Sequence, residues 1–128
     1  MQLLLDTHIM LWAFTDDVRL RGTARGLIRD ERNSVWISAV SIWEIAIKHS
    51  LGRGEMPISA QQALSFCRDA GYLWLDIRPE HAAAVEILPQ LHTDPFDRLL
   101  VAQAITEPLR LVTRDAALAR YDQNIFSV

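Results

Sequence analysis

Short apolar runs alternate with stretches of helical periodicity along the whole chain. Leu3-Leu4-Leu5, Val35-Trp36-Ile37 and Leu111-Val112 lack the alternate polar positions of half-exposed strands, so they read as strands buried on both faces. The pattern predicts strands at 2–6, 35–38, 72–77, 109–113 and 125–128. Helices are expected at 8–14, 22–31, 40–51, 59–70, 79–88, 95–107 and 115–121. Gly52 and Gly54 close the 40–51 helix, and Pro57 keeps the chain extended after it. Gly71 ends the next helix, Pro79 opens the one after, and Pro108 stops the helix before the fourth strand. Strand and helix in turn favour an α/β fold with a mostly parallel sheet covered on both faces. With 128 residues and no repeat, linker or low-complexity tract, the chain reads as a single domain, 1–128.

In such a sheet the carboxyl ends of the strands converge on one edge, where ligands bind. Four acids fall at those ends or at the helix starts that follow: Asp6, Glu44, Asp97 and Asp115. Each also has an ordinary role open to it. Ser41-Ile42-Trp43-Glu44 has the spacing of a capping box. Asp94-Pro95-Phe96-Asp97 is a good helix start, with Asp94 as the cap. Asp6 and Asp115 complement helix N-termini. Taken together the four say more. Glu44 shares a helical stripe with Val40, Ile47 and Leu51, and Asp97 shares one with Leu100, Val101 and Ala104. A carboxylate on an inward-facing stripe is costly without compensation. Four gathered without matching cations repel one another, and oxygen donors at that density suit Mg²⁺ or Mn²⁺. The pattern points to a metal-dependent phosphodiesterase site with Asp6, Glu44, Asp97 and Asp115 as ligands.

Other residues are placed around this edge. Thr7 and Thr113 adjoin proposed ligands, so their hydroxyls are candidates for a phosphate oxygen or a metal-held water, with local backbone bonding as the alternative. Arg98, next to Asp97, is the preferred phosphate contact. Lys48 is a further candidate, or else an exposed i,i+4 partner of Glu44 worth roughly 0.3–0.5 kcal/mol. Arg53 and Arg114 also sit near the edge. His8 and His92 lie near the edge by position, where a metal-site role is the alternative to the expected solvent-facing or locally bonded one, and His49 and His81 carry no signal. The four tryptophans are expected to pack, with Trp12 the best candidate for base stacking.

Composition changes the picture in two places. The net charge of −3, from 13 basic and 16 acidic residues, argues against a broad nucleic-acid-binding surface. Setting aside the four proposed ligands leaves 12 acids against 13 bases, which weakens that objection. Cys67 is alone, so no internal disulfide forms; it reads as a core residue in a reducing, cytoplasmic setting. No apolar run approaches the ~20 residues of a membrane span, and Met1-Gln2-Leu3 does not open a signal peptide. No glycine-rich phosphate loop and no Ser-His-Asp grouping is legible.

Four blocks in order resemble the PIN-domain family. They are Leu4-Leu5-Asp6-Thr7-His8, Ile37 to Ile45 around Glu44, Asp94-Pro95-Phe96-Asp97-Arg98-Leu99-Leu100-Val101-Ala102-Gln103-Ala104, and Leu111-Val112-Thr113-Arg114-Asp115. The likeness is greatest to VapC-type toxins of bacterial toxin–antitoxin modules. It implies a three-layer α/β/α sandwich and Mg²⁺- or Mn²⁺-dependent endoribonuclease activity by metal-activated water, with one or two ions. It implies acidic ligands at Asp6, Glu44, Asp97 and Asp115, with Asp115 the least secure. It also implies a homodimer and a cognate antitoxin that occludes the site. Two other readings compete: a PIN-like binding module without catalysis, and a phosphatase on a related scaffold with Asp6 as nucleophile.

Overall fold

The computed structural model describes residues 1–52 and 56–128. The expected contributions of Arg53 and Gly54 therefore lie outside the described residues. In chain order the elements are β1 (Gln2–Leu5), α1 (Thr7–Thr15), α2 (Gly22–Arg29), β2 (Ser34–Ser38), α3 (Ala39–Ser50), α4 (Ala60–Ala70) and β3 (Leu73–Leu75). Then follow α5 (Pro79–Ala84), a 3-10 turn (Val85–Ile87), α6 (Pro95–Thr106), β4 (Arg110–Thr113), a second 3-10 turn (Leu118–Arg120) and β5 (Phe126–Ser127).

The five strands form one sheet in the order β3-β2-β1-β4-β5, and every pairing is parallel. From β1 the chain steps outward through β2 to β3. It then crosses back to lay β4 on the other side of β1, with Leu4 opposite Leu111. The strand order thus reverses between β1 and β4, and a crevice opens outside their carboxyl ends.

Successive strand side chains point to opposite faces, and the core divides accordingly. Leu3 and Leu5 of β1, with Val35 and Ile37 of β2, pack against Ile9, Met10, Ala24, Ala63 and Cys67. Leu4 and Leu111 pack on the other face against Leu88, Leu100, Val101 and Leu118. Helices on both faces of a parallel sheet make the expected three-layer sandwich. Cys67 is fully buried, and burial pushes its thiol up to about 11, so it belongs to the core and not to chemistry.

Local chemistry moves several boundaries. Helix α3 starts directly off β2, because the Ser38 hydroxyl accepts from the Val40 backbone N–H at 3.0 Å. The capping box expected at Ser41 therefore does not form; Ser41 lies inside the helix. Gly71 takes φ +76, and the following Tyr72 N–H bonds back to the Cys67 carbonyl at 3.0 Å. That bond removes Tyr72 from the third strand and shortens it to Leu73–Leu75. The expected 79–88 helix splits into α5 and a 3-10 turn, and the expected 115–121 helix shrinks to the turn Leu118–Arg120.

Candidate active site

Asp6 is the first residue beyond β1 and the N-cap of α1. One carboxylate oxygen accepts from the Ile9 backbone N–H at 2.8 Å. The other accepts from the Thr113 hydroxyl, at the end of β4. The same Thr113 oxygen accepts from the Asp115 N–H at 3.0 Å. One hydroxyl thus links Asp6 to Asp115 across the point where the strand order reverses.

Glu44 enters from the second turn of α3 and is buried. Helical side chains lean toward the N-terminus, which brings Glu44 back toward the sheet edge. Its Oε1 accepts from the Thr7 hydroxyl at 2.7 Å, and its Oε2 pairs with Lys48 Nζ. Asp97 stands in the first turn of α6, whose cap Asp94 accepts from the Phe96 and Asp97 N–H groups at 2.8 and 3.1 Å. The Asp97 carboxylate faces His92 Nε2 at 3.8 Å, beyond hydrogen-bond reach. His92 Nε2 lies 2.8 Å from Asp115 Oδ2.

The electrostatics show how crowded the edge is. Burial pushes Asp6 above the ordinary carboxylate range; bonds from Thr113 and Ile9 pull against that rise, and Glu44 adds to it. Asp97 is pushed up to about 7, chiefly by burial and then by the negative charges of Asp94, Asp6 and Glu44, with His92 opposing. Three chain segments, those of Asp6, Glu44 and Asp97, have therefore brought their acids within electrostatic reach of one another, and Asp115 joins them through His92 and Thr113.

Residues 3–124 match the PIN domain family. The chain belongs to the PIN-domain family. Ribonuclease VapC22 of Mycobacterium tuberculosis (strain ATCC 25618 / H37Rv) is 32% identical over 120 residues, spanning 90% of this chain and 88% of that protein. Among solved structures, VapBC2 from Rickettsia felis bound to a DNA fragment from their promoter shares 20% identity at a TM-score of 0.70, covering 98% of this chain and 96% of that one. A toxin–antitoxin complex from Klebsiella pneumoniae shares 18% identity at a TM-score of 0.66, covering 96% and 94%. At those identities the two structures establish the PIN-like sandwich itself.

Several sequence expectations about this PIN domain are corrected by where the side chains lie. Arg98 does not project toward the acids. Its guanidinium donates to the carbonyls of Val85 and Leu88 at 3.3 and 3.2 Å, and its buried Nε has no partner. It secures the 3-10 turn against α6 and is not displayed to a phosphate. Thr7 and Thr113 spend their hydroxyl protons on Glu44 and Asp6 and so orient acids, while the Thr113 oxygen also accepts from the Asp115 backbone N–H, the local bonding held open as the alternative. Lys48 does pair with Glu44, but the Glu44 side chain is only 3% exposed, so the contact is not the surface pair expected. Trp12 is buried, with Arg19 and Arg114 at 5.0 and 5.4 Å from its ring centre, and its face is not open to a base. Trp43 is the most exposed of the four, at 52%, set edge-on against Phe96, and Trp74 is exposed as well. His92 does lie at the edge where its sequence position put it, but its partner Asp115, twenty-three residues away, had no sequence signal.

The donors at this edge fit a divalent cation. Asp97, Asp115 and His92 each offer an atom within 4.8 Å of the others. Asp97 in particular carries a carboxylate that burial and neighbouring charge disfavour and that no Lys or Arg pairs with among the described residues. The carboxylate oxygens of Asp97 and Asp115 suit Mg²⁺ or Mn²⁺. A proton on Asp97 competes with any such ion. Mn²⁺ affinity is therefore expected to rise between pH 6 and pH 7 and to level off above about 7. Calorimetric titration across that range checks this; a flat profile would remove Asp97 from the ligand set. A roomier hollow of about 630 Å³, lined by Phe14, Gln62, Phe66 and Asp69 among others, includes none of the four acids.

Proposed function

We propose that this PIN domain is an Mg²⁺- or Mn²⁺-dependent endoribonuclease and the toxin of a toxin–antitoxin pair. The observation that carries the reading is the convergence of Asp6, Glu44, Asp97 and Asp115 from four separate chain segments. They meet at the crevice where a parallel sheet is expected to bind ligands. Its likeness to Ribonuclease VapC22 and to two toxin–antitoxin complexes supports the choice of RNA as substrate and of an antitoxin as partner.

Asp6, Asp97 and Asp115 would hold the cation, with Glu44 holding a second ion or orienting water. When bound, such an ion supplies positive charge to the scissile phosphate and lowers the pKa of the attacking water. The chain's own residues fix the frame. Thr113 and the Ile9 N–H hold Asp6 in one orientation, Thr7 holds Glu44, and Asp94 sets the start of α6 so that Asp97 faces the edge. The same function implies a homodimer and an antitoxin that covers the edge in the cytoplasm. No helix among the described residues is long and apolar enough to cross a membrane.

RNA must approach this acidic edge on cations. Arg114 is exposed, stacked over Trp12, joined in the chain to both Thr113 and Asp115, and in no ion pair among the described residues. Arg19 shares the same indole but is tied through two nitrogens to Asp17. Arg114 thus takes the phosphate-contact role expected of Arg98. Arg114→Ala is expected to raise KM for RNA about three- to tenfold with kcat nearly unchanged. It should also reduce the salt slope of binding by about one; an unchanged salt slope would exclude the contact.

The functional test is incubation of the purified protein with total RNA in Mn²⁺ and in EDTA, with mapping of the new ends. Cleavage at discrete sites in Mn²⁺ alone is expected. Undiminished cleavage in EDTA, or turnover of small phosphate esters through an aspartyl-phosphate, would overturn the proposal.

A further inference from the structure

His92 stands in the segment between the first 3-10 turn and α6, with its ring between two acids from different elements. Its Nδ1 lies 3.1 Å from the backbone nitrogen of Asp94. A backbone N–H only donates, so Nδ1 must be the acceptor and the ring proton belongs on Nε2. That proton points at Asp115 Oδ2, 2.8 Å away. Both ring nitrogens are then committed, one accepting and one donating.

The consequence for Asp115 is specific. Its Oδ1 accepts from the Ala117 N–H at 2.9 Å, and its own N–H is held by Thr113. His92 supplies the only side-chain bond to its other oxygen among the described residues, and the Asp115 side chain is 42% exposed. Without the imidazole that oxygen is free to turn toward water. His92 also accepts from the residue that caps α6, so the same ring ties the start of the Asp97 helix to the loop after β4.

We infer that His92 is a positioning residue: its Nε2–H aims the Asp115 carboxylate toward Asp97, and the ring stays outside the ligand set. The proximity of His92, Asp97 and Asp115 invites the simpler reading of three ligands on one ion. The hydrogen-bond directions oppose it, because no ring lone pair remains to reach a metal. The inference rests on the metal reading above for its meaning in catalysis, but its geometric content does not. An imidazole that orders a carboxylate ligand in this way acts as an outer partner of the site, a position where substitution typically costs about 10–100-fold in metal affinity.

The first test needs no metal. Long-range ¹⁵N–¹H correlation on the metal-free protein at pH 8 reads which ring nitrogen carries the proton. Nε2–H is expected; a protonated Nδ1 would overturn the inference. The second test follows the same signals during Mg²⁺ titration. Retention of Nε2–H with shifts at Asp97 and Asp115 is expected, and loss of that proton on Mg²⁺ binding would make His92 a ligand and overturn the assignment. The third is a double-mutant cycle on Mn²⁺ affinity. His92→Ala should weaken binding at least about tenfold. His92→Gln, which can carry an amide N–H to the same oxygen, should recover most of it. His92→Ala should add nothing in an Asp115→Asn background, and full additivity there would sink the proposal. Should the parent protein bind no Mn²⁺, the nuclease reading fails while the proton on Nε2 still decides this one.

Discussion

Asp6→Asn is expected to lower RNA cleavage by at least about 10²–10³-fold, the scale of losing a group that holds charge at a reacting phosphate. The fold should survive. Asparagine caps helices as well as aspartate does, so the Ile9 N–H keeps its acceptor. A neutral amide also removes the burial penalty that raises the Asp6 carboxyl. Against this, the Thr113 hydroxyl loses a carboxylate acceptor and must turn. These effects oppose one another, and the melting temperature should move by no more than about 4 °C. Circular dichroism melts alongside cleavage rates check both halves. Retained cleavage with an intact fold would remove Asp6 from the machinery.

Asp97→Asn should act in opposite directions on stability and on activity. The folded-state carboxyl titrates near 7, against 3.8 for an ordinary aspartate, so the folded protein binds more protons than the unfolded chain between those values. Stability of the metal-free parent must then fall as pH rises from about 4 to 7, with the full penalty present above 7. Asparagine does not titrate. The variant should come within about 1 kcal/mol of the parent near pH 4.5 and exceed it by about 2–4 kcal/mol at pH 8. Saturating Mn²⁺ should close or reverse that gap, because ligand binding stabilises only the protein that binds it. Cleavage should be lost throughout. Urea melts at the two pH values, with and without Mn²⁺, measure this; a variant less stable than the parent at pH 8 without metal would contradict the crowding of charge around Asp97.

The architecture was largely legible because hydrophobic periodicity and breakers are strong local signals. The unbroken runs at Leu3–Leu5 and Leu111–Val112 announce burial on two faces, and alternate residues of β1 pack into different cores. Boundaries were less legible where two local options compete. Ser-x-x-Glu at 41–44 satisfies the capping pattern, but Ser38 reaches the chain's turn first and takes the cap, which frees Glu44 to face the edge. The convergence of the acids followed from the topology of a parallel sheet. What each side chain touches did not, because those contacts depend on residues far apart in the chain. Nothing near Arg98 in sequence announces the carbonyls of Val85 and Leu88, and nothing near His92 announces Asp115.

The strand order has a bearing on how the protein is made. Chains leave the ribosome N-terminus first, at roughly 5–20 residues per second. β1 emerges at once, yet its neighbour β4 begins only at Arg110, and the bond between Asp6 and Thr113 joins residues 107 positions apart. Pairings of that range form slowly. Until translation has passed Asp115, a nascent chain can present Asp6, Glu44 and Asp97 but has no strand on one side of β1 to close the crevice. Synthesis itself thereby delays closure of the crevice, and a chain cut short before β4 lacks the strand and the Thr113 hydroxyl that complete it.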